Sequence, residues 1–431
     1  VATSEVVDLE ATQSATKFSD EFVQDLPVPG RFYQNVLSLA PGVQDDDGDG
    51  NVTVHGSRDR DFKAVVSGIS NVDPLTGRQM SQVNPNSIEE MEVITAGAGV
   101  EFSRAQGGFA RILQKQGSND FEGVVEFYYR SSIFDGDGAT SNTSIDELQP
   151  DFDSIQPSVQ VSGPIVKDKL WYRLSHEWIK TEDPVNVISG VAVVTETQGI
   201  HSDQVTWQVS PRNKLAFQFS MDPHTITNFG VSSTTPPASS IRIDQGSDVY
   251  QLNWTAPVSP KILVDSQLAW QDANVKYGPT QEGQQNHCTN GPQFVEDAYC
   301  NNGTTGEISG SFPTTYDDHR QRLTVQSTAT VYAGRFLGMS HELKLGMGVE
   351  NERYERFLEN RPQFDFFIYS LVDISSSGDE EVEPLGLSFG TISVPATSNV
   401  GATDDLVARA LLQRAGLDSR KDAVIMSVGA S

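Results

Sequence analysis

The chain has 431 residues, with 58 Asp and Glu against 30 Lys and Arg, a net charge of −28 and a pI near 4.5. That balance argues against nucleic acid as a partner, because a phosphate-binding surface needs clustered Lys and Arg. Mean hydropathy is −0.35, and no apolar run approaches the roughly 18 residues of a membrane helix, which excludes a helical membrane protein but not a β-barrel, whose strands are only half apolar.

Residues 1–17 are polar and without pattern, no signal peptide is visible, and Val1 is not a translation start, so a processed or partial chain is expected. Ser19 offers an N-cap to a short helix (DEFVQDL) that Pro27 and Pro29 stop. Residues 31–40 (RFYQNVLSLA) place Phe32, Val36, Leu37 and Leu39 at roughly helical spacing and end at Pro41-Gly42.

Residues 45–51 (DDDGDGN) put Asp45, Asp47 and Asp49 at alternate positions, with Gly50 next and Asn51 closing the run. Converging oxygens and a glycine that permits a sharp turn make the first half of an EF-hand-like Ca2+ loop. The twelfth position is Gly56 where a bidentate glutamate would stand, so a solvated acidic turn is the simpler reading. Asp135-Gly136-Asp137 is a weaker version of the same pattern.

The stretch 86–123 carries three pieces in order. Residues 88–94 (IEEMEVI) contain Ile88, Glu89, Glu92 and Val93; residues 101–108 (EFSRAQGG) contain Glu101, Gly107 and Gly108; residues 109–123 (FARILQKQGSNDFEG) follow. They resemble the plug strand "I-E-x-x-E-V", the turn "E-F/Y-G-x-x-x-G-G" and the closing strand with its "K-x-G-T-N-x-F-H-G" passage into the barrel of TonB-dependent outer-membrane receptors. Gln116 and Glu122 depart from that last pattern. Upstream, LPVPGRFYQNVLSLAPGV and NVTVHGSRDRDFKAVVSGISNVD resemble the Oar-like branch of the family, with Ser67-Gly68 where Asp-Gly is usual. The resemblance covers roughly residues 20–180. In its light Gly97, Gly99, Gly107 and Gly108 read as plug turn glycines, since no βαβ context surrounds them as a nucleotide loop would require.

From Gly123 the period changes to two. Val125, Phe127 and Tyr129 alternate with Glu126 and Arg130; Leu170, Tyr172, Leu174 and Trp178 with Arg173, Ser175 and Glu177; Val205, Trp207 and Val209 with Gln204, Thr206 and Gln208. The same alternation runs through Leu215–Phe219 as separate positions 215, 217 and 219, then 250–254, 264–270, 323–331 and 343–349, with residues 155–164 a poorer ninth strand. A soluble sandwich would alternate too, with the apolar face inward. The connections decide between them: those near 166–168, 211–213, 257–261 and 334–340 are short, while 135–154, 181–201, 222–247 and 277–319 read as long polar loops. Sorting of turns by length between two ends is the pattern of an outer-membrane barrel. Barrels that hold a plug have about 22 strands, so nine strands ending near Tyr354 are expected to be the first part of one. Residues 357–431 then read as a long external loop with an acidic run at 379–383 and a short helix near 404–415.

Cys288 and Cys300 lie in a Gly/Asn/Gln-rich loop and are expected to form one disulfide in an oxidising compartment; closing so short a loop removes roughly 3 kcal/mol of chain entropy. The seven histidines show no metal spacing, and no G-x-S-x-G, H-E-x-x-H or phosphate-cradling loop occurs. Arg130, Arg173, Glu177, Lys344 and Glu350 are expected to face the lumen, holding the plug or lining a path.

The expected fold is mainly β: a transmembrane antiparallel barrel, incomplete at about nine strands, with an N-terminal α+β plug in its lumen. The expected division is a periplasmic segment at 1–18, a plug at 19–121, barrel strands at 122–356 and an extracellular loop at 357–431. By resemblance, the function is TonB-dependent capture and passage of an extracellular ligand across the outer membrane. Its partners would be the TonB energy-coupling complex and outer-membrane lipid, with no enzyme activity and no required cofactor. A non-transporting surface scaffold or adhesin is the alternative.

Overall fold

The computed structural model describes residues 14–25, 33–45, 50–98, 107–134, 152–187, 190–280, 298–336, 339–361, 363–371 and 385–393. β1 (Ser14–Ser19) runs into α1 (Asp20–Asp25), where the Phe22 amide donates to Ser19 Oγ at 3.3 Å and Asp20 and Glu21 occupy the positive end of the helix. α2 (Tyr33–Leu37) is shorter than the apolar spacing suggested. Its last residues unwind into turns, as the Leu39 and Ala40 amides bond Val36 and Leu37 carbonyls ahead of Pro41, which disfavours helix in the residue before it.

β2 (Val43–Gln44) pairs with β3 (Thr53–Val54). β4 (Phe62–Val66), β5 (Ile69–Ser70), β6 (Ile88–Ala96) and β7 (Gly108–Gln114) join β1 in a five-stranded sheet ordered β1-β6-β7-β4-β5, antiparallel except for the β4–β7 pair. The β4–β5 connection is Ser67-Gly68, with φ of 47° and 94°. Two successive positive φ values make the hairpin turn whose twist matches its strands. Helices and sheet enclose Phe18, Tyr33, Val36, Leu37, Val54, Ile88, Met91, Val93, Ala110 and Ile112, all buried. This part has a dry core of its own.

The remaining strands are β8 (Glu122–Ser131), β9 (Asp153–Val166), β10 (Leu170–Val187), β11 (Gly190–Ser210), β12 (Asn213–Met221), β13 (His224–Phe229), β14 (Ile241–Ser259), β15 (Ile262–Pro279), β16 (Tyr299–Asn302), β17 (Ile308–Gly310), β18 (Thr314–Phe336), β19 (Met339–Asn360), β20 (Gln363–Leu371) and β21 (Leu385–Ser393). β8 to β15 with β18 and β19 form one antiparallel ten-stranded sheet in which strands consecutive along the chain are mostly neighbours. β13 pairs β11 and β14 and so continues the line of β12 past a break at Asp222-Pro223. Ten strands therefore fill nine positions, the number the alternation suggested. β8 and β19 are the outer strands and do not pair with each other among the described residues. β17, β16, β20 and β21 make a separate small sheet.

The large sheet is inverted relative to a soluble sandwich. Val125 is 81% exposed, Trp207 49% and Trp254 37%, with Phe217, Leu252, Leu268 and Val325 also exposed. The alternate positions, including Arg173, Ser175, Gln204, Thr206, Gln218, Gln251, Gln271 and Thr324, are buried. Apolar outside and polar inside is the arrangement of a barrel wall in lipid.

The loop expectations need correction. β10, β11, β14, β15, β18 and β19 have 18, 21, 19, 18, 23 and 22 residues, about twice the 9–11 that a tilted strand needs to cross a bilayer. Residues 181–187 and 190–201, expected as loop, are paired strand from Thr181↔Glu196 to Val187↔Gly190. Their Val and Thr residues keep the strand period beyond the lipid, so polarity alone misled. β13 occupies part of 222–247, β19 runs on to Asn360, and β20 and β21 fall within 357–431. Residues 404–415 lie outside the described residues. The tight connections at 167–169, 211–212 and 260–261 lie at one end of the sheet, and 230–240 joins β13 to β14 at the other.

Leu252→Arg, on the outward face of β14, is expected to destabilise the protein by about 2–4 kcal/mol in urea unfolding from phospholipid vesicles; an unchanged midpoint would contradict a lipid-facing position.

Candidate functional site

The inward face of the wall meets the N-terminal domain through side-chain amides. The turn carbonyl of Ser67 accepts from Gln251 Nε2 at 2.7 Å and from Gln267 Nε2 at 3.2 Å, and the Gly68 carbonyl accepts from Gln326 Nε2 at 2.8 Å. Gln271 Nε2 donates to the Ser70 carbonyl at 3.1 Å. Gln114 on β7 bonds Gln218 and, at 3.2 Å, Ser202 Oγ. Asn84 Nδ2 donates to the Ile200 carbonyl at 3.2 Å, and Asn86 Nδ2 to Glu126 Oε2 at 2.6 Å and Ser158 Oγ at 3.1 Å. A glutamine carries both donor and acceptor on a flexible stem, so alternate inward positions can reach a neighbouring backbone. Buried apolar contact across the boundary is small, centred on Ile69 with Val249 and Ala269.

The linker is pinned at the tight-turn end. Asn119 Oδ1 accepts from the Asp168 amide at 2.9 Å and from Trp171 Nε1 at 2.8 Å, and Lys214 Nζ donates to Gln116 Oε1 at 2.6 Å. A Cβ on Gly117 would lie 2.5 Å from the Tyr172 carbonyl oxygen, so the linker passes too close to β10 for a side chain there.

Charges hold one more segment. Arg322 donates to the carbonyls of Ser70 (3.2 Å) and Val72 (2.6 Å) and to Glu352 Oε1 at 3.0 Å. Arg320 Nε lies 2.8 Å from Asp73 Oδ2, and its Nη2 donates to Asp318 at 3.4 Å. Asp318 also accepts from Arg356 at 2.5 and 2.6 Å and from Tyr354 Oη at 3.0 Å.

Beside this contact lies a cavity of about 450 Å³. Gln34, Asn51, Gln79 and Gln82 line it from the N-terminal domain, and Glu196, Gln198, Asp222, His224, Gln245 and Arg320 line it from the wall. Asp222, at the β12–β13 break, accepts from the Gln82 amide at 2.7 Å, the Ser247 amide at 2.8 Å and Ser247 Oγ at 2.6 Å. His224 Nε2 lies 2.7 Å from Glu196 Oε1. Below it, Tyr33 is buried with Asn71 Nδ2 donating to its hydroxyl at 3.4 Å, and burial raises its phenol above the ordinary value, so it stays neutral. The described lining offers hydrogen-bond donors and acceptors.

The residues singled out from sequence fall in several places. Ile88 and Val93 are in the core, Glu89 is exposed, and Glu92 pairs with Lys17 at 3.7 Å. A Cβ on Gly107 would come 2.2 Å from Ser57 Oγ, and one on Gly108, at φ 151°, 2.9 Å from Val54 Cγ2; Glu101 lies outside the described residues. Asp45 accepts from the Gly50 amide at 3.1 Å and Asn51 from the Gln79 amide at 3.2 Å, whereas Asp47 and Asp49 lie outside the described residues. Asp135 and Asp137 lie outside them too. Among the described residues no Asp, Glu, His and Cys cluster could hold a metal ion. Cys300 is buried and is not a free thiol, while Cys288 lies outside the described residues.

Arg173 and Glu177 are buried in the wall as expected, but Arg173 bonds Ser202 at 3.0 Å and Glu177 bonds Gln156. Arg130 is exposed over the Phe152 ring at 4.6 Å, and Lys344 is exposed on outer strand β19. The glutamines and Arg320 and Arg322 carry contacts that sequence reasoning gave to those charges. Their signal was present as glutamine recurring on the wet face of successive strands. His176 and His201, which show no metal spacing in the sequence, bring their Nδ1 atoms 2.9 Å apart on the outward face of β10 and β11, with Asp203 3.1 Å from His176.

Residues 8–109 match the family model "TonB-dependent Receptor Plug Domain". The chain is 24% identical over 323 residues to the TonB-dependent transporter Oar of Myxococcus xanthus, covering 61% of this chain and 30% of that protein. It is 29% identical over 145 residues to a probable TonB-dependent siderophore receptor, PirA, of Acinetobacter baumannii, covering 32% of this chain and 17% of that one. The fold is similar to that of the outer membrane transporter YddB from Escherichia coli, with a TM-score of 0.61, 14% identity, and coverage of 88% of this chain and 53% of YddB. The chain thus spans about half of that structure and less than a third of Oar.

Replacing Gln251 and Gln326 together by Ala is expected to speed amide hydrogen exchange in residues 66–70 while leaving β14 and β15 protected. Unchanged exchange there would show that these amides do not hold the turn.

Proposed function

We propose that this chain is a TonB-dependent outer-membrane receptor, forming the plug and adjoining wall of a transporter that takes an extracellular ligand across the outer membrane. Ligand enters from the end bearing the long connections and long strand extensions, and contacts the cavity between Gln82, Asp222 and Arg320. The TonB energy-coupling complex, pulling from the periplasmic side, then rearranges the plug so that the ligand passes. The proteins of this family are receptors and transporters; no covalent chemistry is assigned to this chain.

The observation that carries the reading is the nature of the plug–wall boundary. It is made chiefly of amide and hydroxyl bonds, such as Gln251 and Gln267 to the Ser67 carbonyl. Each is worth about 1 kcal/mol net, because water replaces a lost partner. A plug with its own core, held by many replaceable bonds, moves without exposing a large apolar surface. Cys300 in the small outer sheet is read as bridged to Cys288, stapling an external loop. The acidic turn from Asp45 to Asn51 remains a candidate Ca2+ loop on the plug.

Uptake or growth conferred by the full receptor is expected to vanish when TonB is deleted, with the receptor still present in the outer membrane. Activity that persists without TonB would favour the scaffold or adhesin reading. Changing Cys288 to Ser is expected to leave the barrel folded but to lower its resistance to proteolysis within residues 281–313; equal resistance would argue against the bridge.

A further inference from the structure

The charged groups lining the cavity are not equally occupied. Arg78 pairs with Asp59 at 2.9 Å, His224 with Glu196 at 2.7 Å, and Asp222 takes three donors from Gln82 and Ser247. Arg320 differs. It is 5% exposed and lines the cavity; its Nη1 has no hydrogen-bond partner among the described residues, and its Nε meets Asp73 as a charge contact without hydrogen-bond geometry. Its hold on the plug is the 2.8 Å contact with Asp73. Asp73 in turn shapes the plug turn: its Oδ1 accepts from the Leu75 and Thr76 amides at 2.7 and 3.1 Å, and its carbonyl accepts from Gly77 at 2.9 Å.

We propose that Arg320 couples the cavity to the plug: it grips the turn at residues 73–78 through Asp73 while the cavity is empty, and passes to a carboxylate or phosphate oxygen of the ligand when it is filled. This rests on the receptor reading above and names the chemical class recognised at that site. Parted from Asp73, the buried guanidinium would keep only the 3.4 Å contact of Nη2 with Asp318, a carboxylate that Arg356 already holds, and an under-paired buried charge is disfavoured. An incoming anionic oxygen is that substitute, and its geometry suits the planar fork of arginine. The rest of the assembly stays fixed during the exchange. Asp318 is held by Arg356 and Tyr354 independently of Arg320, and Arg322 keeps the carbonyls of Ser70 and Val72. Released from Arg320, Asp73 keeps its own turn amides, so the turn swings as a unit.

The test uses the full-length receptor in detergent with Leu75→Cys, an exposed position on the turn, carrying a spin label. Citrate and inorganic phosphate are the probes and chloride the control. In the otherwise unchanged protein, citrate or phosphate is expected to raise the mobile fraction of the label several-fold, and chloride is not. Arg320→Gln is expected to be mobile from the start and unresponsive, Arg320→Lys to retain part of the grip, and Arg322→Gln to keep the response. Heat-modifiable migration confirms a folded barrel in each. A label as immobile in Arg320→Gln as in the parent overturns the proposal. So does equal mobilisation of both proteins, or no response of the parent to either anion. TonB-dependent uptake is scored separately: its loss with an intact label response removes the transport reading alone, and its presence without a response removes the coupling alone.

Discussion

A backbone amide or carbonyl left without a partner in hydrocarbon costs several kcal/mol, and that cost organises the molecule. It requires an antiparallel ladder in which each strand satisfies its neighbours, and it leaves side chains to choose a face. With lipid outside, Trp207, Leu252 and Leu268 belong outward, and the polar residues of the same strands must turn in. The interior of the wall is therefore a polar sleeve. Whatever fills it has to present polar groups to it.

The N-terminal domain does so because its apolar residues are already spent on its own core, around Met91, Val93 and Ile112. Its surface meets the sleeve with turn carbonyls at Ser67, Gly68 and Ser70 and with the side chains of Gln114 and Asn86. An apolar boundary of the same extent would be costly to part. A boundary of amide bonds separates by exchange with water, one partner at a time. The arginines of β18 add a firmer grip at one segment, and of the two Arg320 lines the cavity.

Much of this was legible in the sequence for identifiable reasons. Period two is a property of the strand itself, so alternation at Val205, Trp207 and Val209 against Gln204, Thr206 and Gln208 located the wall and its nine positions directly. Ser67-Gly68 stood out only as a departure from Asp-Gly, and the turn that it makes is seen in its two positive φ values. The strand extensions were not legible: 181–201 is polar enough to be loop, and only pairing across the hairpin makes it strand. Nor was the site. Gln82 and Asp222, or Asp73 and Arg320, are separated by 140 residues or more in the chain, and their meeting depends on the register of every strand between them. The charges at Arg130 and Lys344 stood out by type, yet they lie on the outer strands, away from the contact.

The central claim is that the apolar faces of the large sheet meet lipid while the polar faces surround the N-terminal domain. Spin labels placed singly at residues 248 to 256 of β14, in the receptor reconstituted into vesicles, test it by collision with oxygen. The account predicts high oxygen accessibility at Tyr250, Leu252 and Trp254 and low accessibility at Val249, Gln251 and Asn253, with a period of two. A reversed alternation, or none, would contradict it.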